Sequence, residues 1–197
     1  LDYRHGGFID RALETFQEVV RLGPRNRYAF VNLQKLYEDQ QQWTEAADVR
    51  EKIAEMDDGK QEANNQILGF LRNEVGASLM RAHDDAAAAR TFETAIDIDK
   101  RTAPAYLNLG DARERMGQTA AAVEAWEKLV QTVPERAYLA LDRVERAYQR
   151  AGTPNRFAEL CERLINRNPQ DWRTRLALSR HLAASGRHRR AFDLLLA

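Results

Sequence analysis

The sequence predicts an all-α fold, an α-solenoid of antiparallel helix pairs, on three observations. A small residue recurs at near-constant spacing, a turn residue stands five positions before each recurrence, and no segment sustains the two-residue alternation of a half-buried strand. The recurring column is Ala12, Ala46, Ala88, Ala122, Phe157 and Ala191, with separations of 34, 42, 34, 35 and 34. The turn column is Gly7, Gln41, His83, Gly117, Gly152 and Gly186.

Each column has a physical reason. Residues three and four apart share a helix face, so every helix carries one apolar stripe. Two helices approach to about 8–10 Å only where the side chains at their crossing are small. The Ala column supplies that crossing on the second helix of each pair, and Gly76 and Gly110 supply it on the first. Four residues beyond the Ala column stand Phe16, Phe92, Trp126, Cys161 and Leu195, with Arg50 the one departure from apolar character. The first helices carry Leu33, Val75, Leu109, Val144 and Leu178 in one column. A second column holds Tyr3, Tyr37, Leu79, Arg113, Tyr148 and Leu182. Glycine ends a helix in a left-handed conformation at little cost, and Pro24, Pro134 and Pro169 block continuation of the second helices.

In order, the predicted units are a partial one at 1–26, then 27–60, a helical extension at 61–68, then 69–102, 103–137, 138–171 and a partial one at 172–197, all in a single array. The eight-residue insertion at 61–68 is read as helix, giving a first helix from about Lys60 to Arg81, because Ala63, Ile67, Phe70, Leu71 and Val75 keep helical spacing. Phe157 puts a phenyl ring at a crossing that elsewhere takes alanine. Overpacking there costs about 1–3 kcal/mol unless neighbours shrink, so that helix pair is expected to splay.

Composition narrows the function. Apolar residues are 44% and charged residues 30% of the 197, a mixture suited to amphipathic helices. Formal net charge is zero, with no global pull toward nucleic acid or a membrane surface. The single cysteine, Cys161, excludes an internal disulfide and a cysteine zinc cage, and no apolar run approaches the roughly 18 residues of a membrane span. A start at Leu1 rather than Met, and an end in Leu194-Leu195-Leu196-Ala197, read as a fragment of a longer protein. His5, His83, His181 and His188 lie in separate turns or faces, without metal-ligand spacing, and Gly6-Gly7 reads as a turn rather than a phosphate loop. No catalytic, cofactor or metal residues are assigned, and the expectation is that the chain is not an enzyme.

These features resemble the tetratricopeptide repeat family, most closely at Ala103–Pro134, where Tyr106, Leu109, Gly110, Gly117, Ala122, Trp126 and Pro134 fit that pattern. Arg113 and Leu129 depart from it. The resemblance implies a right-handed superhelix whose first helices line a concave groove for a partner protein or peptide. The groove residues so assigned are Asn73, Asn108, Asp111, Arg143, Arg146, Arg150 and Arg180. The residues assigned to packing between repeats are Ala12, Ala46, Ala88, Ala122, Phe157, Ala191, Gly76, Gly110 and Trp126. Some family members clamp a chaperone carboxylate with paired lysines. Here only Asn108 and Arg143 match that set, so no such clamp is expected. From Arg136 onward 13 arginines and no lysine stand against six acidic residues. Arginine suits bidentate capture of carboxylates, so an acidic segment of a partner is the expected guest.

The order of irregularities is also similar to the cytoplasmic repeat domain of the lipopolysaccharide assembly protein B family. Gly7, Asp10, Arg11 and Ala12 are followed by Trp43 with Ala46-Ala47-Asp48-Val49, then the extended connector, then Phe157-Ala158-Glu159-Leu160. That resemblance implies a cytoplasmic regulator, tethered to the inner membrane of Gram-negative bacteria in its longer form, which links an enzyme of lipid A synthesis to a membrane protease. An RNA-binding helical repeat is the weaker alternative. Neutral net charge and the lack of stacking aromatics beside the arginines argue against nucleic acid as a partner.

Overall fold

The computed structural model describes residues 8–57 and 59–196. Tyr3, His5, the Gly7 turn and Ala197 lie outside them. Among the described residues the regular structure is helical, with one short 3-10 turn at Pro134–Arg136. The helices are α1 (Phe8–Leu22), α2 (Arg27–Asp39), α3 (Trp43–Met56), α4 (Gln61–Arg81), α5 (Asp85–Ile98), α6 (Ala103–Arg115), α7 (Thr119–Thr132), α8 (Tyr138–Arg150), α9 (Asn155–Arg167), α10 (Trp172–Ala184) and α11 (His188–Leu196). The fold class is the all-α solenoid type that the columns predict. The chain divides into two compact units, residues 1–105 and 106–197, with the division inside the first turn of α6.

Tight turns separate the helices of each pair. Gly117, Gly152 and Gly186 take φ of +74°, +68° and +77°, the left-handed conformation that glycine adopts without a Cβ penalty. Gln41 and His83 occupy the same turn position with φ of +57° and +62° and do carry a Cβ there. Side-chain oxygens of Asn26, Asp84 and Asp171 accept from backbone N–H groups at the starts of α2, α5 and α10.

In the first unit, α1 to α5 pack in sequence. Leu33, Val49 and Ile53 form a core joined by Leu13, Phe16 and Phe30, and Ala46, Ala47 and Leu71 form a second with Trp43 and Leu68. Ala46 and Ala88 are fully buried, and Ala12 on α1 is half-buried. A Cβ on Gly76 would lie 2.6 Å from the Phe92 ring, which is why the α4–α5 crossing admits no side chain there. The 21-residue α4 exceeds its counterparts by about two turns. Its added turns do not bury the apolar stripe read from the sequence. Ala63 is exposed, and Ile67 and Phe70 are 36% and 49% exposed, while Asn64 points inward at 2%. There Arg50, a buried cation on α3, donates to the Asn64 side-chain oxygen.

In the second unit, Ala122 and Trp126 are buried, and the Trp126 indole lies against Gly110 and donates to the Leu107 carbonyl at 3.2 Å. Arg113, which breaks its aromatic column, donates to the Ala121 carbonyl at 3.1 Å. Phe157 is fully buried. The ring is accommodated by an exchange of sizes. The pairs Ala88/Phe92 and Ala122/Trp126 become Phe157/Cys161, with the bulk moved one helical turn and the total roughly conserved. Opposite Cys161, where α4 and α6 carry Gly76 and Gly110, α8 carries Glu145. The backbones of helices α8 and α9 come close at fewer positions than those of α4 and α5, in keeping with the expected splay. At the end of the chain the Ser179 hydroxyl donates to the Ala191 carbonyl at 2.9 Å, tying α10 to α11, and Ala191 is buried.

Candidate functional site

The first helices of consecutive pairs in the second unit, α6, α8 and α10, are joined by side chains rather than by apolar packing alone. Arg143 on α8 makes a two-pronged bond to Asp111 on α6, at 2.7 and 2.8 Å. Arg150 reaches Glu114 at 2.5 Å, and Arg180 on α10 reaches Asp142 on α8 at 3.0 Å. His181 Nδ1 lies 2.7 Å from the Glu145 carboxylate. The helical period places these residues on one face, because acids and bases spaced three or four apart on neighbouring helices come opposite each other.

Of the assigned groove residues, this arrangement brings together Asp111, Arg143, Arg150 and Arg180 and puts Arg146 beside them, exposed, at a shallow depression that it lines with Glu114, Gln149 and Arg150. Among the described residues no ion pair or hydrogen bond engages the Arg146 guanidinium. The ladder of free arginines expected from composition is therefore mostly neutralised from within, because each first helix also supplies acids to the next. Donation to Asp111 holds Arg143 above its ordinary value, against a smaller opposing effect of burial. Asn108 is half-buried on α6. Asn73, in the first unit, is not an open surface group: it is 4% exposed and its amide donates to Glu74 at 3.0 Å.

Three features escaped the sequence reading. Beside Arg50 and Asn64, His181 is buried and its ring sits 5.1 Å from that of Phe157. Its place three residues after Leu178 puts it on the inward stripe, a signal present in the periodicity. The third is aromatic. The Arg173 guanidinium lies over the rings of Tyr138 and Trp172, at 4.5 and 4.8 Å from their centroids, and Arg156 lies over Tyr148 at 4.9 Å. This corrects the expectation that the C-terminal arginines have no aromatic neighbours. Tyr138 is 34 residues before Trp172, so the contact follows the repeat and not the local sequence.

The Cys161 thiol is buried, and burial pushes it well above its ordinary value, aided by nearby carboxylates led by Glu145. Among the described residues no cluster of three or more His, Cys, Asp or Glu side chains could hold a metal ion. Among them also, no helix is long and apolar enough to cross a membrane.

Comparison with known proteins agrees with this architecture. A tetratricopeptide repeat profile matches residues 104–135, the segment of α6 and α7. The chain is 30% identical over 118 residues to a probable UDP-N-acetylglucosamine–peptide N-acetylglucosaminyltransferase SPINDLY of Hordeum vulgare, covering 60% of this chain and 12% of that protein. It is 25% identical over 167 residues to lipopolysaccharide assembly protein B of Escherichia coli K12, covering 85% of this chain and 42% of the relative. The chain thus spans less than half the length of either. Among solved structures, MamA is similar with a TM-score of 0.53 at 21% identity, over 83% of this chain and 91% of the other. The C-terminal part of a TPR repeat-containing protein from Cytophaga hutchinsonii has a TM-score of 0.54 at 16% identity, over 96% and 74%. At such identities the solved structures speak to the fold alone. The recurring helix pairs, the Gly/Ala crossings and the matched segment agree: residues 104–135 carry a tetratricopeptide repeat, within a fold similar to that of tetratricopeptide repeat proteins.

Proposed function

We propose that the chain is a non-catalytic scaffold that holds a partner protein or peptide on the face formed by its first helices. The observation that carries this reading is the cross-linked face of α6, α8 and α10. Ion pairs from each first helix to the next fix long side chains before any guest arrives, which lowers the ordering cost of binding. Arg146 stands on that face without an ion-pair or hydrogen-bond partner for its guanidinium among the described residues. A narrower reading is favoured by the similarity to lipopolysaccharide assembly protein B over 85% of this chain. On it, the chain is the cytoplasmic part of an inner-membrane-associated adaptor that brings a lipid A enzyme under a membrane protease.

Site-specific photo-crosslinking in the native cells tests both. A photoreactive residue at Lys35, Asn108 or Arg146, on first helices, is expected to capture a discrete partner, whereas one at Lys52, Glu124 or Arg163, on second helices, is not. Capture confined to the second helices would refute the face. Capture from the first helices of proteins unrelated to envelope lipid synthesis would refute only the narrower reading.

A further inference from the structure

We infer that the aromatic–arginine surface at the starts of α8 and α10 is the docking point for a protein segment carrying a large apolar side chain next to a carboxylate. This deepens the scaffold reading and rests on it. Trp172 is 60% exposed, Leu176 one turn further along the same face of α10 is 41% exposed, and Tyr138 at the start of α8 is 36% exposed. Arg173 lies over both rings, so the three side chains hold one another in place. Trp, Tyr and Arg are the side chains that concentrate binding energy at protein interfaces, and fixing them beforehand reduces the entropy lost when a partner docks.

Charge selects the partner. Three acids on or beside these helices hold partners of their own. Asp171 accepts from the backbone N–H groups of Arg173 and Thr174 and from the Thr174 hydroxyl. Asp142 holds Arg180, and Asp111 holds Arg143. Among the described residues no hydrogen bond or ion pair engages the Arg173 guanidinium, which lies over the two rings on an exposed residue. A planar edge of donors beside exposed aromatic surface fits a carboxylate flanked by an apolar side chain. Single-stranded nucleic acid fits less well, because Arg173 covers a face of each ring that a base would need and the chain has zero formal charge.

The test uses the 197-residue chain and an array of short synthetic peptides with zero or one Phe, Leu or Trp and zero to four Glu. Wild-type chain is expected to retain peptides that combine one large apolar residue with adjacent Glu, and not those with either alone. Trp172→Ala and Arg173→Ala should each weaken that binding at least tenfold, Arg173→Lys should weaken it severalfold, and Phe70→Ala in the first unit should leave it unchanged. All three positions are surface sites, and unchanged helix content by circular dichroism checks the fold. Peptides retained equally by Trp172→Ala and Arg173→Ala would overturn this docking point while leaving the scaffold reading intact. Retention of no peptide by wild type would overturn it as well, with the crosslinking above still deciding the scaffold reading. Two further outcomes would replace it. One is oligothymidylate binding at physiological salt that Trp172→Ala abolishes. The other is a concentration-dependent dimer in sedimentation that Trp172→Ala dissociates.

Discussion

Arg50 and Asn64 form a buried polar pair between α3 and α4. A guanidinium 7% exposed, with burial pulling it below its ordinary value, has the Asn64 side chain as its hydrogen-bond partner. Removing one member of a buried polar pair costs more than replacing both, since the survivor keeps its desolvation penalty. Asn64→Ala is therefore expected to lower stability by about 2–3 kcal/mol in urea unfolding, and Arg50→Met with Asn64→Ala to recover most of that loss. Arg27 and Asp57 form a second pair across the α2 and α3 ends, at 2.6 and 2.8 Å. The hydrogen bonds from Arg27 hold the Asp57 carboxyl below its ordinary value. The folded carboxylate thus releases its proton more readily than the unfolded one. Its contribution is complete above the unfolded pKa of about 4 and is lost as pH falls through the lower folded value. Arg27→Gln should flatten the stability–pH profile in that acidic window and leave its slope near neutrality unchanged.

At the scale of the element, the helix pair works by exchange of volume at one crossing. In α6 and α7 the crossing is Gly110 against the Trp126 indole, and a Cβ on Gly110 would overlap that ring. Gly110→Ala should destabilise by about 1–3 kcal/mol and shift the Trp126 fluorescence, because the indole must leave the Leu107 carbonyl to make room. The Phe157/Cys161 pair reaches a similar fill by the opposite distribution, and the backbones of α8 and α9 come close at fewer positions than those of α4 and α5, in keeping with the splay expected from a ring at the crossing. The turns offer a contrast in backbone strain. Gln41 holds φ of +57° with a side chain present. Gln41→Gly is expected to raise stability by about 0.5–1 kcal/mol, and Gly117→Ala, at φ of +74°, to lower it by about 1 kcal/mol, both read from thermal melts.

For the whole molecule, two compact units carry one repeated design. In the second, the buried Cys161 thiol, shifted away from the thiolate, makes a reporter of opening. Cys161 should resist a thiol reagent in native buffer and react stoichiometrically in guanidinium. Rapid native labelling would mean that the seam of α8 and α9 is open to solvent. The C-terminal excess of arginine looked from composition like a continuous receptor for acid. The folded chain divides it into members answered by acids of the preceding first helix and members, such as Arg146 and Arg173, left for water or a guest.

What the sequence determined by itself was everything carried by period. Helix pairs, their turns, the small-residue crossings and the helical reading of residues 61–81 follow from residues within a turn or two of each other, and the 3.6-residue period makes such relations visible in one dimension. What only the tertiary structure decided was the pairing of side chains between 14 and 38 residues apart: Arg50 with Asn64, Arg143 with Asp111, Arg180 with Asp142, and Arg173 with the Tyr138 ring. Composition counts charges and rings but carries no record of which ones meet. Whether an arginine is satisfied depends on the rotation of a neighbouring helix, and packing fixes that rotation only when the helices assemble.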